Sequence, residues 1–382
     1  MSPVLKVHWF LPTAGDSRDV VASGADGHRR PPTIEYLAQV ARAAEQLGFD
    51  AVLTPTGTWC EDAWISTAAL LAHTEQLRFL VAFRPGSITP TLAAQQAATF
   101  QRMSGGRLLL NVVTGGDPTE MARFGDELDH DGRYERTEEF LAVVRGAWSG
   151  EPFDFTGRHL SVRGATVQLP PEPVPEIYFG GASPAAERVA AAQADVYLAW
   201  GEPPEMVAER VERMRGLAEA RGRSLRQGIR LHVIARDRAS DAWAEADRIL
   251  ASMDPATVAA AQANFAKTQS VGQQRMAELH GGDPDRLVVA PNLWAGIGLV
   301  RGGAGTALVG SHDEVAERIA EYHEIGFDEF ILSGHPHLEE AYWVGEGVLG
   351  SLRRAGLVSA APPSPWTDEH GRPANLTASA AR

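Results

Sequence analysis

Residues 228–237 read GIRLHVIARD. Ile229, Leu231, Val233 and Ile234 are the branched and aliphatic types that a packed β-strand favours. Arg230 and His232 interrupt them two residues apart. Side chains of a strand alternate between faces, so these two share one face. A buried guanidinium is costly unless paired. No acidic residue lies on that face of the strand. Either a carboxylate from elsewhere or a bound anion must therefore meet Arg230, and the anion is the favoured reading. His232 carries the side chain that titrates near neutrality and so suits acid–base work, although a lone buried histidine is more often a hydrogen-bonded structural residue.

Other polar residues stand at the ends of apolar runs: Thr56 and Cys60 after 50–55, Asn111 and Thr114 at 107–113, Trp200 closing 195–200, and His335 and His337 after 327–334. Each has a plainer reading as a strand cap or a core residue. FGGAS (179–183) opens a helix directly after a strand, and glycines with free N–H groups at a helix start favour a phosphate. LVRGGAGTALVG (299–310) does not fit the G-x-G-x-x-G dinucleotide fingerprint. HPHLEE (335–340) is too loose a match to argue for a metal, and none is expected.

These residues need a scaffold that gathers strand ends. Apolar runs alternate with amphipathic helical patterns. Strands are expected at 7–12, 50–55, 77–83, 107–113, 176–181, 195–200, 228–237 and 327–334. Helices are expected at 34–47, 61–73, 91–103, 134–149, 183–193, 203–221, 238–251 and 338–354, and a hairpin at 153–162. Eight strands, each followed by a helix, predict a (β/α)₈ TIM barrel over residues 1–355 with long insertions after strands four (114–133) and seven (252–306). Both insertions then lie on the face where such barrels carry their active sites, and the second is long enough to be a lid. Residues 356–382 read as a loosely ordered tail.

Composition narrows the classes. A net charge of −14 disfavours nucleic-acid binding, and any anionic ligand must be held by local cations against that field. No apolar run approaches a membrane span, and the start lacks a signal-peptide pattern. A single cysteine excludes an internal disulfide, and a cytoplasmic location is expected.

The motifs WFLPT, CEDAW, NVVTGGDP, YFGG, WGEPPE, GIRLHVI, SVGQQRMAELHGG, PNLWAGIGLVRGGAGTALVG and SGHPHLEEAY together resemble the reduced-flavin-dependent alkanesulfonate monooxygenases of the bacterial-luciferase-like superfamily, from about residue 5 to 350. The resemblance implies a TIM barrel that uses reduced FMN (FMNH₂), delivered by a separate NAD(P)H-dependent FMN reductase, and O₂ to split a C–S bond into sulfite and an aldehyde. It also implies a homo-oligomer, a dimer or tetramer. It assigns Arg230, His232 and Arg301 to catalysis, the last on a closing loop. Trp200 and Cys60 fall in the substrate pocket, and Asn111, Thr114, Tyr134, Gly181 and Ser183 on the flavin. The pattern departs from the family at one pocket: His335 replaces a tyrosine, Ala14 a histidine, and Thr58 and Trp59 an Arg-Ser pair. A polar or otherwise unusual sulfonate, such as a sulfosugar, is the expected substrate. A deazaflavin-dependent oxidoreductase of the same superfamily and a flavin-binding protein without turnover are the competing readings.

Overall fold

A computed structural model describes residues 5–21 and 29–359; the tail expected beyond 356 lies mostly outside the described residues. Thirteen strands are present: β1 (Lys6–Phe10), β2 (Ala51–Thr54), β3 (Arg78–Phe83), β4 (Leu108–Val112), β5 (Phe153–Thr156), β6 (Ser161–Ala165), β7 (Glu176–Gly180), β8 (Val196–Trp200), β9 (Arg226–Arg236), β10 (Val288–Ala290), β11 (Leu293–Trp294), β12 (Ala307–Ser311) and β13 (Glu329–Ser333). Parallel pairing runs β9–β13–β1–β2–β3–β4–β7–β8, and β8 pairs back to β9. The ring is closed, so no sheet edge is left among these eight, and the fold is a (β/α)₈ barrel.

The alternation of each strand divides its side chains. Leu108, Leu110 and Val112 of β4, and Ile229, Leu231 and Val233 of β9, pack outward on the helices. Phe10, Leu53, Leu80, Leu109, Tyr178, Val196 and Ile331 fill the barrel. By the same parity Asn111, Trp200, Arg230, His232 and Ser333 point inward at the C-terminal ends of their strands. The helices are set by ordinary signals. The helix Ile34–Leu47 is capped by the Thr33 side chain and stopped by Gly48 in the left-handed region.

The hairpin forms as β5 and β6. Two expectations are corrected. The insertion after β4 is not all loop: Asp117 caps a short helix, Pro118–Arg123, and the next helix starts at His130, where Asp129 caps it, rather than at 134. The insertion after β9 holds the helices Pro255–Phe265 and Val271–His280, and then β10 and β11.

Residues 307–325, which the strand-and-helix count passes over, form β12 and the helix His312–Ile325. β8 covers β9 only from Arg226 to Arg230, and β12 pairs the outer half from His232 to Arg236. That pairing exists only because β9 is eleven residues long. The helix was legible: Ser311 and Glu314 form a reciprocal capping box, and Gly326 ends it.

Candidate active site

Of the inward residues at the strand ends, Asn111, Trp200 and Arg230 open into a cavity of about 1260 Å³, while His232 and Ser333 lie behind its lining. Single small-ligand sites are roughly 300–1,000 Å³, so this one has room for a cofactor and a substrate together. Trp200, Arg230, Arg301, His335, Asn111, Thr114, Tyr134, Gly181 and Ser183 all line it.

On the β9–β13–β1 side stand two guanidiniums. Arg230 donates to the Ser333 hydroxyl at 2.7 Å and to the Ile331 carbonyl at 3.4 Å. Its guanidinium lies 4.9 Å from the centre of the Phe10 ring, and that of Arg301 lies 5.3 Å from the same ring. Among the described residues neither has a carboxylate partner. Burial, then the charge of Arg301, lowers the pKa of Arg230; burial lowers that of Arg301 to about 10. Two under-compensated cations sharing one aromatic ring make a site that an anion would complete.

The histidines are close by. His232 stacks on His335 at 5.7 Å between ring centres, and His335 meets His337 edge-on at 4.9 Å. Asp16 holds His337 through Nδ1 at 2.9 Å and through its backbone N–H at 2.8 Å. Asp16 also accepts from the Tyr36 hydroxyl and from the Ser17 N–H at 3.0 Å. Burial resists the charge on Asp16, but His337 and Tyr36 outweigh it and hold the carboxyl at about 2. Burial is the main cause that lowers all three histidines, and neighbouring positive charges add to it.

β7 stands across the ring from β1. There Gly181 has φ 146°, a conformation that favours glycine, and a Cβ on it would come within 2.5 Å of Ala186 Cβ and 3.1 Å of the Tyr134 hydroxyl. Ser183 caps the helix Pro184–Gln193. Thr114 and Tyr134 are buried beside it, and His130 packs 4.9 Å from the Tyr134 ring. A glycine cradle, three hydroxyls and a helix N-terminus suit a phosphate, and half-buried Asn111 offers an amide along the wall. These residues fit a flavin mononucleotide.

Not every expected residue converges. Cys60 does not line the cavity: its thiol donates to the carbonyls of Gly57 at 3.6 Å and Pro55 at 3.7 Å, and burial raises its pKa. Trp59 lines the cavity instead, as does Ala14. Phe10 of WFLPT, Ser333 of SGHPHLEEAY and Asp16 are not among the residues expected at the site. Strand parity could have placed Phe10 and Ser333, but Asp16 reaches His337 from 321 residues away.

The insertion after β9 roofs the site. Its Arg275 pairs with buried Glu202 after β8, at 2.5 Å, and Glu202 also holds Arg210 at 2.9 Å. Gln269 accepts from Arg133 at 2.9 Å, and its N–H donates to the Gly116 carbonyl at 3.1 Å.

The fold and the mouth of strand-end side chains are those of a barrel enzyme. The profile of the luciferase-like monooxygenases matches residues 5–329. The chain belongs to that family. Solved structures share the fold. A riboflavin lyase holding modified FMN and riboflavin aligns at TM-score 0.80 and 22% identity over 95% of this chain and 94% of its own. The EDTA monooxygenase of Chelativorans sp. aligns at 0.76 and 22% over 93% and 95%. A long-chain alkane monooxygenase aligns at 0.75 and 20% over 95% and 94%. Among the described residues no helix is long and apolar enough to cross a membrane.

Proposed function

We propose that this protein is a reduced-flavin-dependent monooxygenase acting on an organosulfonate, with FMN supplied by a separate reductase. The observation that carries the reading is the pair Arg230 and Arg301. Both guanidiniums sit over Phe10 in a cavity of a chain of net charge −14, with no carboxylate partner among the described residues. A sulfonate is a permanent anion whose oxygens accept charge-assisted hydrogen bonds. Gly181, Ser183, Tyr134 and Thr114 would hold the flavin phosphate, and Asn111 would lie along the ring. The reduced flavin, when bound, supplies the electrons that activate O₂. Arg230 and Arg301 orient the substrate, Trp200 walls it, and the Glu202–Arg275 contact keeps the roof down and water out.

The test is sulfite release from a panel of sulfonates with FMN, a reductase, NADH and air. Sulfite should appear only with all components. Turnover without O₂ would instead favour hydride transfer with a flavin or deazaflavin. Binding of FMN without turnover on any substrate would leave a flavin-binding protein.

A further inference from the structure

We propose that His337, oriented by Asp16, is the proton acceptor of this site. Resting on the sulfonate reading, it takes the proton that the sulfonate-bearing carbon must lose.

Hydrogen-bond partners assign the tautomers. His232 Nε2 faces the Ala304 carbonyl at 3.1 Å, which can only accept, so Nε2 carries the proton. Nδ1 is then bare and takes the Ser333 O–H at 2.9 Å, while the Ser333 oxygen accepts from Arg230. Both nitrogens of His232 are occupied, which makes it a positioning residue for Ser333 and Arg230.

His337 is the converse. Its Nδ1 faces the ionised Asp16 carboxylate, so Nδ1 carries the proton and Nε2 has a free lone pair. That Nε2 is buried without a partner among the described residues, on a ring that lines the cavity. Asp16 accepts from four donors, so it holds the imidazole in one tautomer and orientation. The groups facing His337 are Asp16, His335, Phe10 and, at longer range, Arg230 and Arg301. Burial and the two guanidiniums keep it neutral and receptive at pH 7, against the opposing pull of Asp16. His335 also has a buried, unpartnered Nε2, but no carboxylate orients it.

One potential ligand atom each from Asp16, His335 and His337 lies within 4.8 Å of the others. A cation there would face both guanidiniums, and Asp16 has no lone pair to spare. Proton transfer fits this cluster better.

The chemistry requires such an acceptor. A sulfonate R–CH₂–SO₃⁻ with reduced FMN and O₂ gives R–CHO, SO₃²⁻, oxidised FMN, water and one proton. The C–S electron pair leaves with sulfite. The C–H pair becomes part of the carbonyl, and the proton goes to His337 Nε2.

Two measurements test this. His337→Gln should lower kcat for sulfite release at least about a hundredfold, within the range for a lost general base. KM should change less than about threefold, the acid limb of the kcat–pH profile should vanish, and the isotope effect from deuterium on the sulfonate-bearing carbon should rise. A kcat within threefold of wild type, or a retained acid limb, would overturn the proposal. Independently of activity, ¹⁵N NMR of the substrate-free protein should show His337 protonated at Nδ1 and bare at Nε2, and His232 the reverse. The opposite assignment overturns the proposal even if His337→Gln does not fold. If wild-type protein releases no sulfite from any sulfonate, the substrate reading fails and this role falls with it; sulfite release that survives His337→Gln overturns the role alone.

Discussion

Side-chain chemistry at this site is governed by what each group lacks. Arg301 lacks a counter-ion among the described residues, so Arg301→Ala should remove one charge-assisted contact to an anionic substrate. At about 1.5–3 kcal/mol for such a contact, kcat/KM should fall roughly ten- to a hundredfold, with flavin affinity unchanged in a fluorescence titration. His335 Nε2 lacks a hydrogen-bond partner among the described residues. A tyrosine in its place would bring a hydroxyl donor, whereas burial and the nearby positive charges hold the His335 imidazole well below its ordinary range and so neutral. His335→Tyr should change the ranking of sulfonates while leaving the pH profile between 5.5 and 9 in place. An unchanged ranking would make His335 a bystander. Gly181 lacks room: Gly181→Ala must place a methyl 2.5 Å from Ala186 at φ 146°. Its dissociation constant for FMN should rise at least about tenfold, a strain cost of one to a few kcal/mol.

At the level of elements, the insertion after β9 is expected to be held less firmly than the barrel. The helix Pro255–Phe265 buries none of its residues, and the roof is tied down by polar contacts to Glu202, Gly116 and Arg133. Few apolar contacts and exposed backbone mark a segment of low local stability. Arg275→Ala removes the tie to Glu202 while Arg210 still compensates that carboxylate. Amide exchange over 255–280 should then speed up and the barrel strands should not; uniform exchange would mean the contact does not restrain the roof.

For the whole molecule, the N-terminal end of the barrel is closed by charge. Buried Glu329 accepts from Arg226 at 2.6 Å and the Tyr178 hydroxyl at 2.6 Å, and meets His8 at 3.0 Å. Burial alone would raise its pKa; His8, Arg226 and Lys6 instead bring it from 4.5 to about 2. A carboxylate with a depressed folded-state pKa stabilises above its unfolded value, and that contribution is lost as pH falls through the folded one. Stability in urea should therefore drop between about pH 4.5 and 2. Glu329→Gln should destabilise the fold at pH 7 by on the order of a few kcal/mol and flatten the acid limb. An unchanged acid limb would mean other carboxylates set it.

The sequence by itself determined the barrel, because the periods of two and 3.6 are local and repeat along the chain. It also determined that Arg230 and His232 share a face, since strand parity admits no alternative, and it marked the glycine turn at 179–183. Only the tertiary structure decided what those residues meet. That both nitrogens of His232 are occupied depends on Ser333 and Ala304, 101 and 72 residues away. That His337 keeps a bare nitrogen depends on Asp16, on the far side of the chain from it. Cys60, placed in the pocket by its motif, faces its own loop carbonyls instead. β12 had no local signature strong enough to be counted, because it completes the outer half of a strand whose length shows only in the assembled sheet. Local pattern fixes which way a side chain points; the hydrogen-bond partner that sets its tautomer and charge comes from wherever barrel closure brings another strand end.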